Sequence, residues 1–143
     1  MPVSKLEGGS WPHPARLPLG CGWRGHCTAP GHENQIPAQE VVETFCNLGY
    51  ASGCQWSPDQ RACDSVRFSV LAPPTGRHQK NVSELPASLL HLTYVCERDH
   101  LPVEHGKLQF DLQRGTWLRV HGDARIQRMA ECFLESHLSK TRT

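Results

Sequence analysis

The sequence predicts an α+β fold: an irregular, cysteine-rich N-terminal region with one short helix, then an antiparallel meander of three to four strands covered by a C-terminal helix. Three observations lead to this prediction. Apolar and polar residues alternate in the second half, an apolar stripe at helical spacing lies near the C-terminus, and the 12 glycines and 11 prolines lie largely outside both patterns. A chain of 143 residues has room for one core.

Residues 1–20 predict a flexible arm, because they contain four prolines and a Gly-Gly pair with little hydrophobic periodicity. Residues 21–143 are then a single cysteine-rich domain. Its first regular element is a short helix from Ala38 to about Gly49, where apolar residues recur at helical spacing. Pro37 precedes the helix and Gly49 is placed to end it.

Four segments predict strands. Residues 66–71 alternate in polarity and end at a proline-rich turn. A second alternation covers 90–97 and a third covers 108–112. The segment 98–106 between them contains a proline and a glycine that suit a connection between antiparallel neighbours. A fourth, short strand is predicted at 116–120.

An amphipathic helix is predicted at the C-terminus. Asp123 is a residue type that caps helix N-termini, and an apolar stripe follows it. The stripe consists of Ile126, Met129, Ala130, Phe133, Leu134 and Leu138. We expect this helix to lie across the sheet.

The charge and hydropathy of the chain disfavour nucleic acid and membranes as partners. Fifteen basic and 14 acidic residues give a formal net charge of +1, with no dense run of either sign. No apolar stretch approaches the roughly 18 residues that cross a bilayer, and the first residues lack the apolar run of a secretory signal. We therefore expect a cytoplasmic protein, in which cysteines more often bind metal or carry out chemistry than form disulfides.

Seven cysteines are the distinctive chemical feature of the sequence. Four of them form two pairs, Cys21 with Cys27 and Cys46 with Cys54, with five and seven residues between the members. Neighbouring glycines give the backbone the freedom to curl until the sulfurs point at one centre. Thiolates at such close range repel one another unless a cation or a cluster binds them. We therefore predict that Cys21, Cys27, Cys46 and Cys54 are ligands of one metal centre.

The predicted metal centre is either an iron–sulfur cluster or Zn²⁺. A tetrahedral four-thiolate site suits zinc, but zinc-binding pairs are typically about two to four residues apart. Iron–sulfur clusters accept wider spacings, so the spacing favours a cluster. Trp23 or Trp56 could shield either centre from water, and backbone amides beside the glycines could donate hydrogen bonds to its sulfur atoms.

The C-x5-C pair, followed by Phe45-Cys46 and then Cys54, resembles an arrangement in small, mostly uncharacterised bacterial proteins. The segment 98–106 is similar to the later part of one such group, so the resemblance covers residues 20–140. It implies a four-cysteine centre and no established activity. This chain differs from the tighter versions of the arrangement in having seven residues between its third and fourth cysteines.

The other three cysteines are interpreted separately. Cys63 is near enough in sequence to replace Cys54 as a ligand, although a half-buried or solvent-facing thiol is the simpler interpretation. Cys96 lies on the apolar face of its strand and is expected to pack in the core. Cys132 lies off the helix stripe and is expected on the flank of that helix.

The segment that contains Cys96, His100 and His105 could form a second metal site with nearby carboxylates. A solvated, ion-paired corner is the simpler interpretation. Such a corner could be the surface that meets a protein partner.

Two other functions stay open. The chain could be a thiol enzyme or redox protein with Cys27 as nucleophile and His26 or His32 as base, or a metal-free interaction module. The common motifs of hydrolases, nucleotide-binding proteins and deaminases are absent from the sequence, which disfavours an enzyme.

Overall fold

A four-stranded antiparallel sheet with a C-terminal helix packed on one face forms the larger part of the structure, which is a computed structural model. It describes residues 2–6, 17–47, 54–56, 63, 65–71 and 88–141. In chain order, the elements are β1 (Pro2–Lys5), β2 (Trp23–Gly25), α1 (Gln39–Val41), β3 (Ser65–Val70), β4 (Leu89–Arg98), β5 (Leu101–Asp111), β6 (Thr116–Arg119) and α2 (Ala124–Thr141). The predicted α+β fold is confirmed.

The sheet has the order β3-β4-β5-β6, so each strand pairs with its neighbour in sequence, as predicted for a meander. The connection between β4 and β5 is shorter than the predicted 98–106 and consists of Asp99 and His100. Both have positive φ angles, 50° and 65°, which is typical of a type I′ turn whose twist matches the flanking strands. β5 therefore begins directly after the turn, and Pro102 pairs with Glu97 beside an irregularity in the register.

Asp123 caps α2, as predicted. Its carboxylate accepts hydrogen bonds from the backbone N–H groups of Arg125, at 2.8 Å, and Ile126, at 3.4 Å. The apolar stripe of the helix packs against the sheet in a buried cluster of Leu92, Leu108, Ala130 and Leu134. Within the described residues, no helix has both the length and the apolar composition of a membrane span.

β1 and β2 form a separate antiparallel ribbon. The sequence did not predict β1, because the composition of residues 1–20 indicates an arm. In the structure, the guanidinium group of Arg128 on α2 donates hydrogen bonds to the carbonyls of Pro2, at 3.1 Å, and Val3, at 3.0 Å. These bonds attach β1 to α2. Residues 7–16 of the predicted arm lie outside the described residues.

The N-terminal region covers the flank of α2. The sequence places Cys132 on this flank, and in the structure the side chain is completely buried. Two segments of the N-terminal region lie against this flank. β1 contacts α2, and the Sγ of Cys21 is 3.2 Å from the Oγ of Ser136. Ser136 follows Cys132 by about one helical turn. The N-terminal region thus buries a second face of α2.

Gly106 on β5 lies against the ring of Tyr94, its pairing partner on β4. A β-carbon at this position would lie 2.7 Å from the Tyr94 hydroxyl oxygen. The ring is held in place by a hydrogen bond to Glu104 and by an edge contact with His121. We predict that Gly106→Ala lowers the free energy of unfolding by about 1–3 kcal/mol, because the ring must move. Urea denaturation measures this change.

Gly122→Ala is the matched control. A β-carbon at Gly122 would meet no atom within 4 Å, so this substitution should change the free energy of unfolding by no more than about 0.5 kcal/mol. Equal effects of the two substitutions would contradict the packing described for Gly106.

Candidate metal centre

A cavity of about 210 Å³ lies where the N-terminal ribbon, the short helix and the start of β3 come together. We call it the thiol cavity, because four cysteines line it: Cys27, Cys46, Cys54 and Cys63. Three of these four are ligands predicted from the sequence. The fourth, Cys63, is the residue that the sequence indicated as a replacement ligand.

Cys27 lies in a closed loop directly after β2. Its backbone N–H donates to the carbonyl of Gln35 at 2.8 Å, and its carbonyl accepts from the N–H of Asn34 at 3.0 Å. The N–H of Ala29 donates to the Cys27 sulfur, with 3.3 Å between N and Sγ. A backbone donor at a sulfur atom stabilises negative charge on it, which suits a thiolate ligand.

The helix that carries Cys46 is shorter than predicted. The sequence indicates a helix from Ala38 to about Gly49, whereas the structure has α1 followed by one π-helical turn over Val42–Cys46. π-Helical turns are wider than α-helical turns and frequently occur at functional sites. This turn ends at Cys46, which lines the thiol cavity and remains exposed to solvent.

The buried side chain of Asn47 joins the end of this turn to β2. Its Oδ1 accepts a hydrogen bond from the N–H of Trp23 at 2.7 Å. Its Nδ2 donates to the carbonyls of Trp23 and Val42, each at 3.0 Å. Because Cys46 is adjacent to Asn47 in sequence, these three bonds hold Cys46 beside the strand that leads into Cys27.

Trp56, two residues after Cys54, connects the segment of Cys54 to the loop of Cys27. The Trp56 indole lines the thiol cavity and stacks on the His32 imidazole, with ring centroids 4.5 Å apart and an interplanar angle of 10°. His32 belongs to the Cys27 loop, where its Nδ1 lies 3.2 Å from the Oε1 of Gln35. The stacked rings therefore connect the segment of Cys54 to the loop of Cys27.

The thiols of Cys27, Cys46 and Cys54 influence one another electrostatically. Partial burial raises the pKa of Cys46 above the usual 9.0, and the neighbouring Cys54 and Cys27 thiols raise that pKa further. Negative charges at close range disfavour one another, so a thiol beside two others ionises less readily. Positive charge bound beside these thiols would oppose this effect and lower their pKa values.

Two buried hydrogen-bond donors line the same cavity. Trp23 is 4% exposed and Ser65 is 8% exposed, and both residues line the thiol cavity. Within the described part of the chain, neither the Nε1 of Trp23 nor the Oγ of Ser65 has a hydrogen-bond partner. A buried polar group without a partner costs about 1–3 kcal/mol, which an acceptor in the cavity would recover.

Cys21 lies against α2 and is not one of the described residues that line the thiol cavity. Its Sγ is 3.2 Å from the Oγ of Ser136. The preceding Gly20 has a φ of 80°, and a β-carbon there would lie 2.9 Å from the Ser136 β-carbon. Lys140 donates a hydrogen bond to the Gly20 carbonyl at 2.8 Å. The structure therefore separates this predicted ligand from the other three.

The structure does not assemble the second metal site considered for Cys96, His100 and His105. Cys96 is 1% exposed and packs in the core, as predicted, where it pairs with Glu104 across the sheet. His105 follows Glu104 on β5 and so points to the opposite face. Among the described residues, those of the thiol cavity included, no three His, Cys, Asp or Glu side chains are arranged to hold a single ion.

Sequence reasoning did not identify Asn47 or Ser65 as residues of the site. An asparagine directly after an apolar helical stretch is a signal for a helix end, but it does not indicate a bond to a strand 24 residues away. Ser65 carries no signal, because a serine beside an alternating strand is typical of a solvent-facing position.

The reactivity of the thiols tests this arrangement. Burial raises the pKa of Cys132 to about 11 and that of Cys96 to about 12, and both side chains are at most 1% exposed. We predict that iodoacetamide modifies Cys46 of the folded, metal-free protein well before Cys96 or Cys132, because only ionised, accessible thiols react quickly. The rate at Cys46 should still rise as the pH passes 9.0, since its pKa is raised.

Peptide mass spectrometry after timed alkylation measures these rates. Unfolding in urea is the control, because it should make the three cysteines react at similar rates. Equal rates at Cys132 and Cys46 in the folded protein would show that the burial of α2 described above is wrong.

Comparison with known proteins gives no assignment for this chain. No protein-family model, curated protein or solved structure matches it. The resemblance to small bacterial cysteine-rich proteins therefore stays a prediction, and a functional conclusion has to come from the chemistry of the thiol cavity.

Proposed function

We propose that this chain is a small metal-binding protein whose thiol cavity holds an iron–sulfur cluster, with Cys27, Cys46 and Cys54 as ligands. The observation that carries the proposal is that these three thiols, from two separate stretches of sequence, line one cavity of about 210 Å³. A cytoplasmic location fits this function, because thiols stay reduced there.

The energetics of the three thiols favour a bound cation. Without one, burial and the neighbouring thiols hold Cys46 in its protonated form. A metal ion binds the thiolates, releases their protons to solvent and stabilises the fold around them. The cysteines lie in an irregular region whose regular elements are short, with three residues in α1 and three in β2. A metal centre would cross-link these short elements and so stabilise a region that has little hydrophobic core of its own.

The size of the cavity favours a cluster over Zn²⁺. In a four-thiolate zinc site, each sulfur lies about 2.3 Å from the ion, so the sulfurs nearly touch and enclose no further space. A cluster contains several iron and sulfide atoms, and the cysteines are shared among two or four irons. A cavity of about 210 Å³ whose lining includes the cysteines leaves room for the second arrangement.

The buried donors also fit a cluster. The sulfide and thiolate sulfurs of a cluster accept hydrogen bonds, and these bonds tune its reduction potential. The Nε1 of Trp23 and the Oγ of Ser65 are buried donors of this kind. The Ala29 amide already donates to the Cys27 sulfur. Three donors around one cavity match the acceptor-rich surface of an iron–sulfur group.

The residues of this chain would bind, orient and shield the cluster. Asn47 holds the Cys46 turn against β2, and the Trp56 ring, stacked on His32, forms part of the cavity lining and would shield the cluster on that side. When bound, the cluster would supply one-electron transfer, a redox signal or a structural cross-link. The sheet and α2 would form the platform and the surface for a protein partner.

A thiol enzyme is the competing function. It would need a base at the Cys27 sulfur, and His26 lines the same cavity. The N–H of Ala29 donates a hydrogen bond to that sulfur, and such a donor suits a metal-bound thiolate as well as a nucleophile. Cluster binding explains the positions of Cys46 and Cys54 as well, and we therefore favour it.

Reconstitution with ferrous ion and sulfide under anaerobic conditions tests the ligands. We predict that the unaltered chain takes up iron and sulfide and turns brown, with absorbance at about 400 nm. Cys46→Ser and Cys54→Ser should each lose most of the bound iron, because serine is a poor ligand for a cluster. Iron, acid-labile sulfide and zinc are measured together with the far-ultraviolet circular dichroism of each variant.

Cys132→Ala is the control in this experiment, since it removes a buried thiol on α2 outside the thiol cavity. It should keep the iron content of the unaltered chain. A chain that binds one equivalent of zinc and takes up no iron would be a zinc protein instead. Cys46→Ser protein that folds and keeps its full iron content would contradict the proposed site.

Ser65→Ala tests the hydrogen bonds to the cluster. The variant loses a buried donor without a partner, so its metal-free form should be as stable as the unaltered protein or more stable. Its reduced cluster should be harder to form, with a more negative reduction potential, because one hydrogen bond to sulfur is lost. Calorimetry and potentiometric titration measure the two effects.

Ser69→Ala is the matched control on the same strand, where the exposed hydroxyl contacts Thr93 and not the cavity. It should leave the potential unchanged. If Ser65→Ala and Ser69→Ala have the same reduction potential, Ser65 does not donate a hydrogen bond to the bound group.

A further inference from the structure

We propose that Cys63 is the fourth ligand of the metal centre and that Cys21 is not a ligand. This inference rests on the proposed function, because it concerns the ligands of the same cavity. It changes the ligand set that the spacing of the sequence favours, and it assigns a chemical role to a cysteine at the edge of the sheet.

The first argument is the position of Cys63. It lies two residues before Ser65, the first residue of β3, and it is 7% exposed. Cys63 lines the thiol cavity together with Ser65 and Val66. Residues at the start of β3 thus form part of the cavity lining, together with the three other cysteines. The Cys63 sulfur also has the Cys96 thiol as a hydrogen-bond partner, and a hydrogen bond to a ligand sulfur is compatible with metal binding.

The second argument is the position of Cys21. Its sulfur contacts the Ser136 hydroxyl at 3.2 Å, and the Gly20 carbonyl before it accepts a hydrogen bond from Lys140 at 2.8 Å. Gly20 also packs against the Ser136 side chain so closely that a β-carbon would not fit. For Cys21 to bind a group in the cavity, this segment would have to leave α2. Cys63 is already at the cavity and needs no such movement.

The third argument concerns the rigidity of the site. Cys63 packs in one buried cluster with Val66, Cys96 and Ile126, so residues of the strands and of α2 hold it in place. A ligand on rigid elements positions a metal centre more accurately than a ligand on a loop does. The Cys63 thiol would bind iron as a thiolate and release its proton to solvent.

A functional consequence follows from this ligand set. Cys27, Cys46 and Cys54 belong to the irregular N-terminal region, whereas Cys63 leads directly into β3 of the sheet. A cluster held by all four would connect the two parts of the domain covalently through iron. Loss of the cluster would then remove this link between the N-terminal region and the sheet, which is a response suited to a sensor of iron or oxidation.

The test compares single substitutions of three cysteines after anaerobic reconstitution with ferrous ion and sulfide. Cys63→Ser and Cys63→Ala test the proposed ligand, and Cys21→Ser tests the ligand that it replaces. Cys132→Ala is the control, because Cys132 is a buried thiol that does not line the cavity, whereas the Cys96 thiol is a hydrogen-bond partner of Cys63. Circular dichroism and thermal denaturation of the metal-free forms confirm that each variant folds.

We expect both Cys63 variants to fold and to lose at least about half of the bound iron, or to keep a cluster with an altered electron paramagnetic resonance spectrum. Cys21→Ser and Cys132→Ala should keep the iron content and the spectrum of the unaltered chain. If Cys63→Ala fails to fold, the iron content of Cys63→Ser and the spectrum of Cys21→Ser show which of the two cysteines binds the cluster.

Two results would overturn the inference alone: full iron content with an unchanged spectrum in a folded Cys63 variant, or loss of iron from folded Cys21→Ser. An unaltered chain that takes up no iron would overturn the proposed function and this inference together. The two failures are therefore distinguishable by the behaviour of the unaltered chain.

Discussion

The buried amide of Asn47 is the interaction on which the rest of the candidate site depends. Three hydrogen bonds from this one side chain join the end of the π-helical turn to β2. The turn carries Cys46 and β2 leads into Cys27, so the amide brings together cysteines that are 19 positions apart in the sequence. Because Asn47 is 8% exposed, water competes little for these bonds, and losing one would leave buried groups unpaired.

This constraint explains why the thiols cluster in a region with little regular structure. The closed loop of Cys27, the turn of Cys46 and the stacked rings beside Cys54 each fix one sulfur by local contacts. Burial, and after it the neighbouring thiols, raises the pKa of Cys46, so ionising this thiol has a cost in the absence of a cation. A bound cluster would stabilise the ionised thiols, because each thiolate then binds positively charged iron. Binding and folding of the N-terminal region would be coupled in such a protein.

The sequence predicts those parts of the fold that depend on local pattern. Asp123 and the apolar stripe after it define α2, and alternating polarity locates the strands of the sheet. The spacing of the cysteines also predicts three that line the thiol cavity. Contacts between distant residues could not be predicted in this way. β1 is held by Arg128, which lies 126 positions from Pro2, and the orientation of Cys21 depends on Ser136, 115 positions away. The role of Cys63 depends on where β3 begins relative to the N-terminal ribbon, which no local pattern specifies.

The most direct test of the central claim is the mass of the chain after anaerobic purification, measured by native mass spectrometry without added metal. The account predicts the 16.0 kDa chain with a mass increment that corresponds to iron and sulfide and that is lost on exposure to air. A mass that corresponds to the chain alone would contradict a metal centre. A mass increment of one zinc ion would contradict a cluster.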